Sequence, residues 1–363
     1  MRTIPASDFL FSLLHTPSPT GFEQGGMDVW ADFVRPFLGE VHADAYGSHY
    51  GTLANAPLDD RPLLMLTAHG DEIGCMVQHI TDQGFLHVVA LGGSDKAIIG
   101  ARTVQVFGDK GPVDGVLGQT AIHLKDRGND KAPEWSDLFI DIGATNRAEV
   151  LERGIRVGAP AVLASGAARL GDRLLTGRAL DNRINGYVMA RVVQALAEEA
   201  AKLPVRLVAA YTVQEEIGGH GARMLTHRLN PDAAIVLDVT HATDTPGISQ
   251  PKHGKVTLGG GLVLTHGSAN HTGLVRFAQE TAARCALTVQ HETAPRYTST
   301  DTDDVFVSRS GVPAILLSQP LRYMHSPVET VDLQDQEDLI MLITEMIRGF
   351  RPSALERPAL AVQ

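Results

Sequence analysis

At 363 residues, with 44% hydrophobic residues and a mean hydropathy of −0.02, the chain is long enough for one large globular core and a smaller second one. A formal net charge of −11 without any basic stripe argues against a nucleic-acid partner, because phosphate contacts need clustered Lys and Arg. No apolar run is long enough to span a bilayer, and Cys75 and Cys285 show neither metal-ligand nor disulfide-framework spacing.

Residues 1–8 carry acid and proline where a secretory leader needs an apolar stretch, so a cytoplasmic protein is expected. Residues 8–14 and 27–38 predict helices separated by the loop 17–21, with Gly39 as a C-terminal stop. The apolar run 63–66 then reads as a strand buried on both faces. From 73 to 165 the texture changes to short β-type runs (84–89, 103–107, 115–118, 138–142) with glycine-bearing turns at 82–84 and 109–111. That spacing predicts a small barrel. After Asp181, Ile184, Val188, Val192 and Leu196 share one face of a long helix. Strand and helix alternate from there: 205–213, 222–229, 233–237, 274–285, 314–317 and 333–350.

The expected fold is α/β, with a mixed, mostly parallel sheet flanked by helices and an inserted small β-barrel-like domain. Its expected division is a main domain in two parts, 1–70 and 169–351, an insertion at 71–168 and a flexible tail at 352–363.

Four apolar runs stop at a residue able to bind a metal. They lead into His69, into Glu215-Glu216, into Asp238 and, after a short connection, into His325. In an open α/β sheet, ligands collect outside the carboxyl ends of the strands. Asp181 joins this set, which contains no sulfur. Such nitrogen-and-oxygen donors suit zinc, cobalt or manganese in hydrolytic sites. Five side chains are too many for one catalytic zinc with an open position, but they suit two ions roughly 3.5–4 Å apart with one bridging carboxylate. Glu215 and Glu216 would face opposite ways in a regular strand, so both reach one site only if the strand has ended. Gly218-Gly219 supplies such a break, leaving one carboxylate for metal and the other for proton transfer. The turn Gly218-Gly219-His220-Gly221 does not meet the dinucleotide fingerprint, and the two glutamates before it would repel a pyrophosphate.

Several segments in chain order resemble the M42 metallo-aminopeptidases, the glutamyl-aminopeptidase-like and tetrahedral aminopeptidases. They are Thr67-Ala68-His69-Gly70-Asp71-Glu72-Ile73-Gly74, Gly177-Arg178-Ala179-Leu180-Asp181-Asn182-Arg183, Val213-Gln214-Glu215-Glu216-Ile217-Gly218, Leu237-Asp238-Val239-Thr240-His241-Ala242-Thr243-Asp244-Thr245-Pro246-Gly247 and Arg322-Tyr323-Met324-His325-Ser326-Pro327-Val328-Glu329. The stretch 138–144 in the insertion also resembles the family. The resemblance implies that Asp181 bridges two divalent ions, zinc first and cobalt or manganese as alternatives. It implies that His69 and Asp238 complete one ion, and Glu216 and His325 the other. Glu215 is then the general base, Asp71 orients His69, and the peptide bond after Asp181 is cis. The implied activity removes N-terminal residues from short peptides. The implied assembly is a homo-oligomer, from dimer to dodecamer, with the PDZ-like insertion making the dimer contact.

His220, Asn182 and the proline-free stretch 259–266 depart from the family pattern and bear on substrate preference. Asp244, Thr245 and Asp301 are family-like and read as supports. His241, His266 and His271 read as surface or pocket-rim residues, and His123 as a loop or interface residue of the insertion. The alternative reading is a related di-metal amidase or deacylase acting on a small acylated metabolite.

Overall fold

A computed structural model of the chain describes residues 6–124 and 132–357. Its centre is an eight-stranded sheet in the order His42–Ala43, His49–Thr52, Arg206–Thr212, Leu63–His69, Ala233–His241, Ala314–Leu321, Leu262–Gly267, Val289–Ala294. Leu63–His69 runs parallel to both of its neighbours, and Ala233–His241 runs parallel to Ala314–Leu321. The strands His49–Thr52 and Leu262–Gly267 pair antiparallel with Arg206–Thr212 and Ala314–Leu321, which makes the sheet mixed.

The absence of polar alternation in the central strands follows from helices on both faces. Leu64, Leu66 and Ala68 pack with the helices Ala6–His15, Gln24–Val34, Leu180–Leu196 and Leu333–Arg348. Met65, between them in sequence, packs on the opposite face with Ala222 and Leu225 of the helix His220–Leu229. Two expected strands are longer than the apolar runs suggest. Ala233–His241 continues through Asp238, and Ala314–Leu321 continues past Leu317. Asp238 therefore lies inside its strand instead of just beyond it. The strands at 42–43, 49–52, 262–267 and 289–294 are not among the expected elements, since His, Gly and Thr dilute their apolar pattern.

Residues between Gly74 and Leu163 supply a closed six-stranded barrel: Gly74–Ile80, Leu86–Leu91, Phe139–Asp141, Gly111–Leu117, Arg102–Gly108 and Pro160–Leu163, in that order around it. Val77, Leu86, Val88, Val104, Val106 and Ile140 fill its interior. A third sheet of three antiparallel strands, Ala168–Leu170, Leu174–Gly177 and Glu329–Asp332, joins the segment after the barrel to the C-terminal part, with Gly177 opposite Glu329.

The tail expected to be loose from residue 352 is packed at its start. Pro352–Leu355 forms a 3₁₀ turn with Ala354 buried, and the carbonyls of Ala354 and Glu356 lie where only a glycine, Gly273, leaves room. Residues 358–363 of that tail lie outside the described residues. Among the described residues, no helix is long and apolar enough to cross a membrane.

Candidate metal centre

Each proposed ligand reaches the site from a different element. His69 is the last residue of its strand, and Asp238 projects from the strand beside it. Asp181 lies at a kink that precedes the regular turns of the helix Leu180–Leu196: its backbone (φ −75°, ψ 108°) and that of Asn182 are not helical, and the peptide bond between them is cis. Glu215 and Glu216 follow the strand Arg206–Thr212, which ends before them. The chain turns at Gln214 (φ +59°), earlier than the Gly218-Gly219 break expected, and both glutamates line the same cleft. His325 sits in the connection after Ala314–Leu321, at φ +58°.

The seven residues singled out from the sequence come together. His69 Nε2 lies 3.3 Å from Asp181 Oδ1, 3.9 Å from Asp238 Oδ1 and 3.8 Å from Glu215 Oε2. His325 Nε2 lies 3.4 Å from Asp181 Oδ2 and 3.3 Å from Glu216 Oε2. Two groups result, His69–Asp181–Asp238 and Asp181–Glu216–His325, each with its donor atoms within 4.8 Å of one another. Asp181 belongs to both and offers a different oxygen to each. Donors placed 2.0–2.2 Å from one tetrahedral ion stand roughly 3.4 Å apart, so these separations fit ligands around shared ions. The donor set, all imidazole and carboxylate, fits a divalent metal of the zinc, cobalt or manganese kind.

The electrostatics point the same way. Burial pushes the Glu215, Glu216 and Asp238 carboxyls well above the usual carboxylate range, and repulsion from Asp181 and from other acids adds to it. Burial opposes protonation of His69, but Glu215, Asp181 and Asp71 outweigh it and hold its imidazole well above the usual range. Burial also acts against the ionised form of Asp181, yet His325 and His69 draw its carboxyl below the normal value. Four acids thus crowd together with only two imidazoles between them, an arrangement that divalent cations would relieve.

Behind the donors stands a layer of buried polar groups, most of which sequence reasoning missed. Asp71 lies 3.2 Å from His69 Nδ1, and it also accepts the Glu215 N–H at 3.0 Å, the Glu216 N–H at 3.1 Å and the Thr20 hydroxyl at 2.9 Å. Glu23 Oε1 accepts the N–H of Gln214 at 3.2 Å and of Gly21 at 2.6 Å. Glu329 Oε1 accepts the His325 N–H at 2.9 Å, and its Oε2 accepts the Asp181 N–H at 3.1 Å. His325 Nδ1 lies 3.1 Å from the carbonyl of Gly93, in the segment linking two barrel strands, so the N–H placed there leaves Nε2 free for a metal. Glu72 is buried between Arg178 and Arg183 and supports the Asp181 segment instead of facing the site. Asn182 donates to the Leu237 carbonyl at 2.8 Å, a bond that an aspartate at this position could not make when ionised. Many of these partners are distant in sequence, and many are backbone groups, so side-chain identity marks few of them.

The donors line a cleft of ≈ 640 Å³, together with Thr240, His241, Asp303 and Asp304. Of the family-like acids, Asp244 makes a paired contact with Arg322 at 2.9 and 2.6 Å, and buried Asp301 accepts the Thr212 hydroxyl at 2.6 Å. His241 reaches the cleft rim, whereas His266 pairs with His291 at 2.9 Å and His271 precedes the helix Thr272–Arg284. His123 is exposed in the 3₁₀ segment Ile122–Leu124.

A family model described as M42 glutamyl aminopeptidase matches residues 50–342. Lysyl aminopeptidase of Pyrococcus furiosus is 33% identical over 351 residues, covering 95% of this chain and 97% of that protein. Among solved structures, the TET aminopeptidase of a marine-sediment Thaumarchaeota archaeon superposes with a TM-score of 0.90 at 29% identity, covering 96% of this chain and 98% of that one. The Pyrococcus horikoshii TET1 peptidase, which can assemble into a tetrahedron or a large octahedral shell, superposes at 0.84 with 28% identity over 95% of this chain and 100% of that one.

Proposed function

Because the chain belongs to the M42 glutamyl aminopeptidase family and is a hydrolase acting on peptide bonds, we propose that it removes N-terminal residues from short peptides at a centre of two divalent cations. The cations would be held by His69 and Asp238 on one side, Glu216 and His325 on the other, with Asp181 between them. The observation that carries this reading is the two-sided placement of Asp181, whose separate oxygens face separate histidines. Bound there, the ions would polarise the scissile carbonyl and lower the pKa of a water molecule.

The chain's own residues do the rest. Glu215, 3.8 Å from His69 Nε2, is positioned to take a proton from the attacking water and return it to the leaving amine. Asp71 holds the His69 ring and the backbone of both glutamates, so ligand and base keep their relative positions. Zinc is the first choice of ion, with cobalt and manganese next. The reading also takes 1–70 and 169–351 as the catalytic domain and the 71–168 barrel as the dimer contact of a cytoplasmic homo-oligomer, as in a tetrahedral shell.

The test is metal analysis with an activity panel. Chelator-stripped protein should regain aminoacyl-anilide hydrolysis as about two equivalents of zinc, cobalt or manganese are restored, with oligomer mass measured in parallel. Cleavage confined to N-acylated amino acids would favour the deacylase alternative, and a chain that binds no cation would end the reading.

A further inference from the structure

Glu329 is the least explained buried acid around the centre. It is 2% exposed, at the start of the strand Glu329–Asp332, and no Lys or Arg among the described residues pairs with it. A buried carboxylate without a cation is costly, so fold stability alone does not account for it. Its two oxygens instead take backbone N–H groups from two separate segments, His325 at 2.9 Å and Asp181 at 3.1 Å. Both residues belong to the same three-ligand group.

We propose that Glu329 is a positioning residue of the metal centre, one carboxylate that fixes the spacing of Asp181 and His325 through their backbones. This rests on the two-cation reading of the site.

The connection it grips is strained. Tyr323 and His325 both have left-handed backbone, at φ +60° and +58°, a region that residues with a side chain rarely occupy. Without the Glu329 oxygen, the His325 N–H loses its buried acceptor and the connection is free to relax, taking the imidazole away from Asp181 and Glu216. Pairing of Gly177 with Glu329 in the three-stranded sheet brings the acid alongside the segment that leads to Asp181. Both carboxyl oxygens are used as acceptors. An amide would present a donor to one of the two N–H groups. Asp71 works in the same manner, holding Glu215 and Glu216 by their N–H groups.

Glu329→Gln tests this by competition for zinc with a chromophoric chelator, using stripped wild type and variant. The expected result is an affinity weakened about 10–100-fold for one of the two ions, with the melting temperature of the stripped protein little changed. Unchanged affinity in a folded variant overturns the proposal while leaving the two-cation reading intact. A wild type that binds no zinc overturns both. A variant that does not fold shifts the test to hydrogen exchange in the stripped wild type. There the amides of Asp181 and His325 should be protected, and rapid exchange at both overturns the assignment.

Discussion

Gly93→Ala isolates one contact between the barrel segment and the metal centre. A Cβ added at Gly93 would lie 2.7 Å from His325 Nδ1 and 2.8 Å from its Cε1. Non-bonded carbon contacts settle near 3.5–4.0 Å, so the imidazole would have to retreat by roughly 0.8 Å. The Gly93 backbone is not in the left-handed region, so alanine brings no backbone strain and the effect comes from the contact. The retreat also disturbs the 3.1 Å contact between Nδ1 and the Gly93 carbonyl and swings Nε2 away from Asp181 and Glu216. A misplacement on the order of 1 Å at a reacting centre costs about 10²-fold, equivalent to about 2.7 kcal/mol. The assay is zinc affinity by chelator competition and kcat/KM on an aminoacyl-anilide, with circular dichroism to establish the fold. Affinity should fall about 10–100-fold, and excess zinc should recover part of the turnover. A folded Gly93→Ala protein with wild-type affinity and turnover would refute the proposed role of His325.

Three further outcomes follow from the buried acids. Glu215→Gln should keep both cations by metal analysis yet lose on the order of 10²–10⁴-fold in kcat, and normal turnover would remove Glu215 as the base. Glu72→Gln leaves Arg178 and Arg183 buried without an anion, so denaturant unfolding should show a loss of about 3–5 kcal/mol, and a negligible loss would contradict that account. Burial pushes the Glu23 carboxyl up to about 7 from 4.5, so the folded state holds that proton more tightly than the unfolded state. The stability this contributes is complete below the unfolded value and disappears as pH rises through about 7. Glu23→Gln keeps the Oε1 that accepts both N–H groups. Stripped of metal, it should lose less stability than wild type between about pH 5 and about pH 8, by up to about 3 kcal/mol. Equal pH dependence in the two proteins would argue against a shifted Glu23.

The sequence by itself determined the parts that depend on local pattern. Apolar runs such as 63–66 read as central strands under two helical layers, and a ligand at or near the carboxyl end of several of them already points to one site. Turn spacing between residues 73 and 165 likewise marked a barrel, and the mixture of imidazole and carboxylate marked the metal chemistry. Only tertiary structure decided how that chemistry is held. Asp238 sits within its strand because pairing with Ala314–Leu321 extends beyond the apolar run. The grip of Glu329 on Asp181, of Glu23 on Gln214 and of the Gly93 carbonyl on His325 joins residues more than a hundred positions apart through backbone atoms. Every residue carries those atoms, so side-chain identity announces none of these contacts. They exist because the sheets and the barrel close around the cleft.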